Sequence, residues 1–582
     1  MADVRRILVV DLATNGTRVD ELDANGTLGL GGKVLGIRLL EKYLDPETDP
    51  LGPENIVAIT PSPIAAYAMS GSDRFGAYSK SPLTGIWLEA YCGGTFARTL
   101  RETGWDALVI TGASPDPVRV HMTAEGATIV PAEELWGKST FETDSELLAQ
   151  LDRRSSVLSI GVAGENLVKV ASIMHEQAHT LGRGGMGAVL GSKKVKAVSV
   201  TSPGALKLEA QEQFVATRRE VSKLASESPA AANYRRFGTP MVVAVMNEAK
   251  GFPTDFFTKS VAPHRATLES EHWPEWAKVE SDTCPPCPLR CRKRLTLLDG
   301  PEAGREMHGP EYETLYVFGG SCMVEHARDV ARLNERCNIL GMDTISAGNL
   351  VALAMKGKQL GLVDDGPAPG DTPAMSGLLD HIADRSTPTG DVLAGGMDSA
   401  AAAFGMSDWN ITTKGLDPAG YEPRRLKGMA LSYAVAVRGA CHLRATFYKP
   451  ELAGLLDGLD DDAYVDMYLD WEDRMLLSDS LLMCRFYRDF MSWDYLVSAA
   501  SQLNGAPLTK HELQAQCTEV ITRIRRLNLA MGGTPADDTV AERFFRDPTD
   551  VDPPLDREEL ARRVRIYWTK RGWTVDGYPP GL

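Results

Sequence analysis

Hydrophobic and polar positions follow two different patterns along this chain, and the change falls near residue 205. Before it, short apolar runs typical of strands alternate with glycine-rich turns. After it, apolar residues recur at helical spacing with few strand signals. The pattern predicts an α+β protein, with an N-terminal glycine-rich β-sheet domain at 1–205 and two mainly α-helical domains at 206–411 and 412–582.

The first domain is predicted to begin with a β-meander over 6–30, with turns at Asn15-Gly16 and Asn25-Gly26. A helix is expected over 34–43, because Leu35, Leu39 and Leu40 share one face. Further strands are expected at 56–58, 107–111, 118–122, 157–160 and 195–200.

The helical part is predicted from apolar periodicity alone. The segment 364–376 is rich in Pro, Gly and polar residues and is expected to be a surface loop. Helices are expected at 208–228, 241–249, 325–340, 344–360, 461–477, 487–499, 510–531 and 557–571.

Composition narrows the class of protein. A chain of 582 residues is too long for one core and should divide into about three domains. The net charge of -16 argues against a nucleic-acid binder, and no apolar run is long enough for a membrane span. The N-terminus leads directly into a strand pattern without a visible signal peptide, and nine cysteines fit a reducing compartment. We therefore expect a cytoplasmic protein.

Cys284, Cys287 and Cys291 form a C-x-x-C-x-x-x-C pattern in a loop that its prolines keep out of helix. Thiolates at this spacing converge, as in iron–sulfur clusters and structural zinc sites. A disulfide framework is the alternative, but nothing else indicates an oxidising compartment. Zinc normally takes a second C-x-x-C or a nearby His pair, and the chain offers neither. A [4Fe–4S] cluster requires a fourth thiolate, and the candidates are Cys322, Cys337, Cys441 and Cys484.

The run 182–187 contains four glycines around Arg183 and precedes a helical pattern. Glycines allow backbone amides to approach a phosphate closely, and an arginine adds a charged fork. The alternative is a tight turn packed against a strand.

A series of motifs then occurs along nearly the whole chain: 80–85 KSPLTG, 164–168 GENLV, 182–189 GRGGMGAV, 284–291, 309–314 GPEYET, 341–344 GMDT, 438–443 RGACHL and 479–484 DSLLMC. In this order they resemble the aldehyde:ferredoxin oxidoreductases, tungsten enzymes with a bis-pterin cofactor and one [4Fe–4S] cluster. The resemblance implies that Cys484 is the fourth cluster ligand beside Cys284, Cys287 and Cys291, between the two helical domains.

The resemblance also implies a pterin site in the β-rich domain and its surroundings, with tungsten or molybdenum held by two pterins. Magnesium bridging the pterin phosphates is less well matched, since Tyr91 and Cys92 stand where the family often has Asn. Leu482 likewise replaces a family glycine. The implied cofactor contacts are Arg74, Lys80, Gly93, Gly94, Arg183, Gly184, Gly185, Gly187, Asn338, Gly341, Asp343 and Asp479.

Glu313 and His442 match the family positions proposed for proton transfer and for polarising the substrate carbonyl. The alternatives are Glu311 as the pocket carboxylate and His442 as a core histidine. Cys441 adjoins His442, and Cys322 follows closely on a strand expected at Glu313. Either cysteine is packing, or a direct tungsten ligand such as occurs in the benzoyl-CoA reductase branch.

The implied function is oxidation of aldehydes to carboxylic acids, with electrons leaving through the cluster to ferredoxin or a partner subunit. A homodimer, or a complex with iron–sulfur and flavin subunits, is implied as well. Because the chain is acidic, an acidic ferredoxin would need a local basic patch or a separate subunit. The alternatives are a tungsten subunit related to aryl-CoA (benzoyl-CoA) reductases and a cluster-only electron-transfer subunit.

Overall fold

The computed structural model describes residues 4–204, 211–284 and 287–581. Its N-terminal part contains two six-stranded sheets, with strand orders β2-β1-β6-β3-β4-β5 and β11-β10-β9-β12-β7-β8. A three-stranded sheet, β13-β14-β15, follows within the helical part. The strands are β1 Val4–Asp11, β2 Gly16–Asp23, β3 Val57–Pro61, β4 Arg74–Lys80, β5 Trp87–Gly93, β6 Ala107–Thr111, β7 Val118–Thr123, β8 Gly126–Pro131, β9 Ser155–Ile160, β10 Ile173–His175, β11 His179–Leu181, β12 Val195–Thr201, β13 Ala277–Asp282, β14 Arg292–Leu297 and β15 Glu306–His308.

Helices make up most of the remainder, so the predicted α+β class is confirmed. They are α1 Gly32–Tyr43, α2 Phe96–Glu102, α3 Thr140–Gln150, α4 Val162–Glu165, α5 Met186–Ser192, α6 Gln211–Glu227, α7 Pro229–Phe237, α8 Val242–Glu248, α9 Arg265–Leu268, α10 Tyr312–Thr314, α11 Ala327–Leu340, α12 Thr344–Gln359, α13 Thr372–Asp384, α14 Pro388–Ala394, α15 Met397–Ala403, α16 Lys427–Val435, α17 Tyr448–Leu452, α18 Asp461–Leu481, α19 Trp493–Asn504, α20 Lys510–Ala530, α21 Glu542–Arg546 and α22 Arg557–Lys570. None of the helices in the described ranges is both long and apolar enough to cross a membrane.

The inner strands β1, β3 and β6 of the first sheet are buried on both faces, which explains their apolar sequences, whereas the edge strand β2 is polar and largely exposed. Ile7 and Val9 of β1 join the core beneath α1, whereas Leu8 and Val10 join a second core shared with the other sheet. Strands β4 and β5 form an antiparallel pair at one edge, with Arg74 directly opposite Gly93. Two residues implied in cofactor binding are thus brought together by strand register.

The meander predicted over 6–30 is wrong in its third strand. The turn before Gly16 closes the β1–β2 hairpin, but the chain after Asp23 forms consecutive turns. Leu28 there has a φ of 51°, in the left-handed region. Such a backbone cannot continue a ladder, and the chain passes directly into α1.

Most long helices match their predicted spans closely, α12 and α20 among them. The surface loop expected over 364–376 is wrong at its end, because Asp371 caps α13 and Pro373 lies in its first turn. The helix expected from 487 begins instead at Trp493, where Ser492 is the cap. The predicted start at 208 and the proposed boundary at 205 lie outside the described residues.

Strands β13 and β14 were not predicted, because charged residues occupy one face of the pair. Glu280 lies opposite Arg294, and Asp282 opposite Arg292. Such polar alternation gives little hydrophobic signal. The loop joining these strands carries the cysteine triad, so the small sheet fixes both ends of that loop.

Candidate active site and cluster site

The cysteine triad and Cys484 lie together in the structure, as the family resemblance implied. Burial is the largest cause that raises the pKa of the thiols of Cys284, Cys287 and Cys291, to about 12 for Cys284. A negative charge on the Cys484 sulfur raises the pKa of all three further. Mutual electrostatic effects of this kind require the four sulfur atoms to be close.

Backbone contacts fix the cysteines independently of their side chains. The Cys287 N–H donates to the Cys284 carbonyl at 2.7 Å, and the Cys484 N–H donates to the Gly71 carbonyl at 2.8 Å. A Cβ atom on Gly93 would lie 3.4 Å from the Cys284 sulfur. The cysteines therefore border the N-terminal sheet as well as the helical part.

The four cysteines do not form a site for a single metal ion in the described residues. Among the residues that the structure describes, no group of three or more His, Cys, Asp or Glu could hold one metal ion. In a [4Fe–4S] cubane each cysteine binds a different iron atom, so four thiols need not converge on one point. All four cysteines are half-buried, close to the surface.

Glu313 and His442 form a pair across the chain. The His442 Nε2 atom lies 3.3 Å from Glu313 Oε1, and the Gly420 N–H donates to Glu313 Oε2 at 2.8 Å. Glu313 lies in the helical turn α10, so the strand expected there is wrong. A π-helix over Leu315–Ser321 follows at once, and such segments are frequent at functional sites.

Burial sets the protonation of this pair. It raises the pKa of Glu313 to about 8, against the opposing Gly420 hydrogen bond. It lowers the pKa of His442 well below its usual value, and the charge of Arg183 adds to that effect. Near neutral pH, Glu313 is therefore mostly protonated and His442 is neutral. The pair then consists of a carboxylic acid and an imidazole with one N–H donor and one nitrogen acceptor.

A cavity of about 200 Å³ connects this pair to the cluster site. Glu313, His442 and Cys484 all contribute to its wall, and so does Arg74. Glu311 also faces it, but its carboxylate accepts a hydrogen bond from Thr239. The alternative pocket carboxylate is therefore already partnered.

Arg183 is held near the pair by backbone carbonyls. It donates to the carbonyls of Ala440 and Asp417, and its Nε lies 3.7 Å from Asp343 Oδ2. Asp343 itself caps α12 by accepting from the Ser346 N–H. The glycine run and the 341–344 motif therefore meet in space.

Asp479 belongs to a buried charge network. Its carboxylate accepts from Arg444 at 2.9 Å and from Arg485 at 2.7 Å. Arg444 also contacts Glu89, which pairs with Lys33 at 3.1 Å. Asp479 is thus neutralised by the protein itself, so its part in pterin binding would be to orient these arginines.

The glycines after Arg183 are explained by packing within the protein. Gly185 has a φ of 86°, and a Cβ there would lie 2.6 Å from the Lys169 carbonyl oxygen. A Cβ on Gly187 would lie 2.5 Å from the Ser172 carbonyl oxygen. These contacts favour the tight-turn interpretation for both residues. Gly184 is fixed similarly, since its carbonyl accepts a 2.7 Å hydrogen bond from the Ser81 hydroxyl.

Other implied cofactor contacts are placed less directly. The Lys80 ammonium donates to the carbonyls of Pro46 and Thr48, so its side chain is already engaged. Gly341, with a φ of 75°, ends α11, the helix that carries Asn338. Gly94 lies beneath the His175 ring, and a Cβ atom on Gly94 would lie 2.4 Å from the Cδ2 atom of that ring.

Cys322 and Cys441, the two cysteines considered as metal ligands, differ in the pKa of their thiols. Cys322 is buried beside the Gly348 carbonyl, and burial raises its pKa. Burial would raise the pKa of Cys441 too, but Arg438, Arg444 and Arg183 outweigh it and lower that pKa to about 6. Cys322 therefore behaves as packing, whereas Cys441 can be a thiolate at neutral pH.

Several buried groups of the site were missed by sequence reasoning, chiefly Glu89 and Arg438. The Arg438 guanidinium contacts the Glu89 carbonyl oxygen and donates to the Cys441 sulfur at 3.0 Å. A signal existed, since Arg438 is the first residue of the 438–443 motif and Arg444 follows it directly. The Nε–H groups of Arg183, Arg438 and Arg444 are buried without a hydrogen-bond partner in the described chain. Each of these three arginines therefore keeps one N–H donor available for a further hydrogen bond.

The family models provide the deciding comparison. Residues 7–202 match the model of the aldehyde ferredoxin oxidoreductase N-terminal domain, and residues 216–581 match that of domains 2 and 3. The chain belongs to the aldehyde ferredoxin oxidoreductase family. It is therefore a member of an oxidoreductase family, as the sequence motifs indicated.

Individual relatives agree. The tungsten-containing aldehyde ferredoxin oxidoreductase of Pyrococcus furiosus is 32% identical over 591 residues, covering 99% of this chain and 97% of that protein. The aliphatic sulfonate oxidoreductase, WOR-like subunit, of the same organism is 26% identical, covering 99% of this chain and 95% of that protein. The solved active site complex BamBC of benzoyl coenzyme A reductase with 1,5 dienoyl-CoA contains a chain that is structurally similar, with a TM-score of 0.82 and 22% sequence identity. The match covers 99% of this chain and 95% of that chain. The last likeness shows a shared fold.

Proposed function

We propose that this chain oxidises aldehydes to carboxylic acids at a tungsten or molybdenum bis-pterin centre and releases the electrons through a [4Fe–4S] cluster. The observation that carries the proposal is the single cavity lined by Glu313, His442 and Cys484. A proton-transfer pair and a cluster ligand thus face one space. The family membership and the tungsten-containing relatives support the same reaction.

The buried arginines are the residues proposed to hold the cofactor. Arg183, Arg438 and Arg444 each keep an unpartnered Nε–H, which fits an anionic, phosphate-bearing group. When bound, the metal bis-pterin group supplies the two-electron redox chemistry. Arg74 and Asp343 complete the proposed contacts, at the sheet edge and at the start of α12.

The protein's own part in the reaction is to bind the aldehyde and move protons. Conversion of an aldehyde and water to a carboxylic acid releases two protons with the two electrons. We propose that ionised Glu313 accepts a proton at Oε1, the atom that faces His442 Nε2. Neutral His442 donates its N–H to the substrate oxygen and polarises the carbonyl.

The cluster-only alternative explains the site less well. An electron relay would have no use for a buried carboxyl whose pKa is raised to about 8 beside a neutral imidazole. Burying such groups lowers stability, so their presence indicates a function.

One observation favours the second candidate, an aryl-CoA reductase subunit. Cys441 has the low thiol pKa expected of a direct metal ligand.

The decisive experiment is anaerobic purification with metal and pterin analysis, followed by substrate assays with a viologen dye. Aldehydes should reduce the dye, and the preparation should contain pterin-bound tungsten or molybdenum with about four iron atoms per chain. Reduced dye consumed only with aryl-CoA esters would favour the second candidate. Iron without pterin or tungsten would favour the relay.

The surface at the cluster loop suits electron exit. Arg290 is exposed beside the cysteines and donates to the Ser281 carbonyl oxygen, while Arg235 donates to the Pro288 carbonyl oxygen. Arg292 is the third guanidinium here, paired with Asp282 at 2.9 Å. On a chain of net charge -16, this local positive surface is where we propose that an acidic ferredoxin binds.

Arg290→Glu should raise the KM for an acidic ferredoxin several-fold, because like charges then face each other. The measure is the ratio of ferredoxin-linked to viologen-linked aldehyde oxidation, since a small dye does not need the patch. Arg565→Glu is the control, as Arg565 is an exposed arginine of α22, which packs on α16 and α18. An equal loss with both acceptors, or no change in KM, would contradict this exit surface.

A further inference from the structure

The wall of the cavity beside Glu313 contains a charged residue, Arg488, that the proposed reaction leaves unused. Arg488 lines the cavity and is only 6% exposed. Its Nη1 donates to the Arg485 carbonyl at 2.9 Å, and its Nη2 donates to the Tyr448 hydroxyl at 3.2 Å. A guanidinium has five N–H donors, and the Nε–H of this one is buried without a partner in the described chain.

Arg488 also differs from its neighbours in charge pairing. Arg485 and Arg444 both bond to the Asp479 carboxylate, at 2.7 and 2.9 Å. Within the described ranges, Arg488 has no carboxylate at ion-pair distance. Asp489 is next in sequence, but it is exposed and bonded to Lys449 at 2.6 Å. A buried, unpaired cation is costly, and the cost is recovered when an anion binds.

Several other residues of the cavity wall are aromatic. The rings of Tyr234 and Phe486 stack with centroids 4.8 Å apart, and those of Tyr421 and Tyr448 stack at 4.2 Å. Tyr421 also stacks on the His442 imidazole at 5.5 Å. The stack therefore runs from the proposed reaction centre to Tyr448, whose hydroxyl accepts from Arg488. A volume of about 200 Å³ suits a single ring or a short chain.

We propose that Arg488 is a specificity residue that binds an oxyanion on the substrate, so that the cavity selects aldehydes carrying a carboxylate or sulfonate group. The inference rests on the proposed aldehyde oxidation. The aldehyde end lies at Glu313 and His442, the aromatic stack covers the middle of the substrate, and the anionic end contacts the free N–H groups of Arg488.

The test compares charged and neutral aldehydes of similar size on the purified holoenzyme. For 4-formylbenzoate, kcat/KM should exceed that for its neutral methyl ester by at least about tenfold. In Arg488→Gln this ratio should fall to near one, and Arg488→Lys should retain part of it. The kcat/KM for benzaldehyde-4-sulfonate, compared with that for 4-formylbenzoate, shows whether the site prefers a sulfonate or a carboxylate. Arg565→Gln, which removes an exposed arginine of α22, should keep the wild-type ratio.

Three results would overturn the assignment. The first is a wild-type ratio near one, and the second is a ratio that Arg488→Gln leaves unchanged. The third is loss of tungsten and pterin from Arg488→Gln, which would place Arg488 on the cofactor instead.

Calorimetric binding of benzoate against benzamide tests the anion site without turnover. Benzoate should bind more tightly than benzamide, and Arg488→Gln should weaken benzoate binding at least about tenfold. Equal binding of the two compounds would overturn the site. If no aldehyde is oxidised but benzoate still binds through Arg488, the proposed function fails and the anion site stands.

Discussion

Replacing Glu313 with glutamine is expected to lower kcat/KM for aldehyde oxidation by about 10²–10⁴-fold, the usual contribution of a general base. Glutamine keeps the shape of the side chain and its hydrogen bond from Gly420, but it cannot accept a proton. The measurement is viologen-linked aldehyde oxidation by preparations matched for tungsten and iron content. A variant with near-native turnover would remove Glu313 from the mechanism.

The pH dependence supplies a second readout for Glu313. Since burial raises its pKa to about 8, the ionised form that accepts a proton is the minor form below that pH. In the wild type, kcat/KM should therefore rise with pH and level off above about 8. The glutamine variant should lose this rise. A wild-type profile that is flat between pH 6 and about 9 would contradict the assignment.

Glu311→Gln is the matched control, because Glu311 faces the same cavity. Burial raises its pKa as well, but its carboxylate is already hydrogen-bonded to Thr239 and lies near Cys291. We expect a much smaller loss of turnover, and a retained rise with pH. A larger effect at Glu311 than at Glu313 would instead support Glu311 as the pocket carboxylate.

Local signals account for the parts of the fold that could be predicted. Asp343 at the start of α12, and Thr509 with Glu512 at the start of α20, are caps that can be read directly from sequence. The prediction of a third meander strand is wrong because Leu28, whose backbone is in the left-handed region, interrupts an otherwise strand-like pattern. Strands β13 and β14 were missed because cross-strand charge pairs, rather than burial, occupy one of their faces.

The candidate site, like the fold, has parts that the sequence predicts and parts that only the structure reveals. The spacing of Cys284, Cys287 and Cys291 is local, so the sequence alone indicates a cluster loop. The contact between Glu313 and His442 joins segments far apart in sequence, and only the family resemblance suggested it before the structure. Arg488 belongs to no motif, and its unpaired state can be recognised only when the neighbouring carboxylates are placed.

Replacing Cys484 with alanine is expected to have the second large effect, loss of the intact cluster and of ferredoxin-linked activity. Iron should fall below about four atoms per chain, because a [4Fe–4S] cluster takes one thiolate for each iron. Iron analysis and the visible absorbance of the oxidised protein measure this directly. Cys517→Ala is the control, since Cys517 is fully buried in α20 beside the Asp473 carbonyl. A full complement of iron in Cys484→Ala would eliminate Cys484 as a ligand.

The Cys484 substitution also tests whether cluster and cavity form one electron path. The Cys484 backbone is fixed by the Gly71 carbonyl and does not depend on its sulfur, so alanine should preserve the turn. Arg485 follows immediately, and its bond to Asp479 connects this turn to the arginines proposed to hold the cofactor. Tungsten content should therefore stay near the wild-type value while ferredoxin reduction is lost. If ferredoxin were still reduced at the native rate, the electrons would leave by another route.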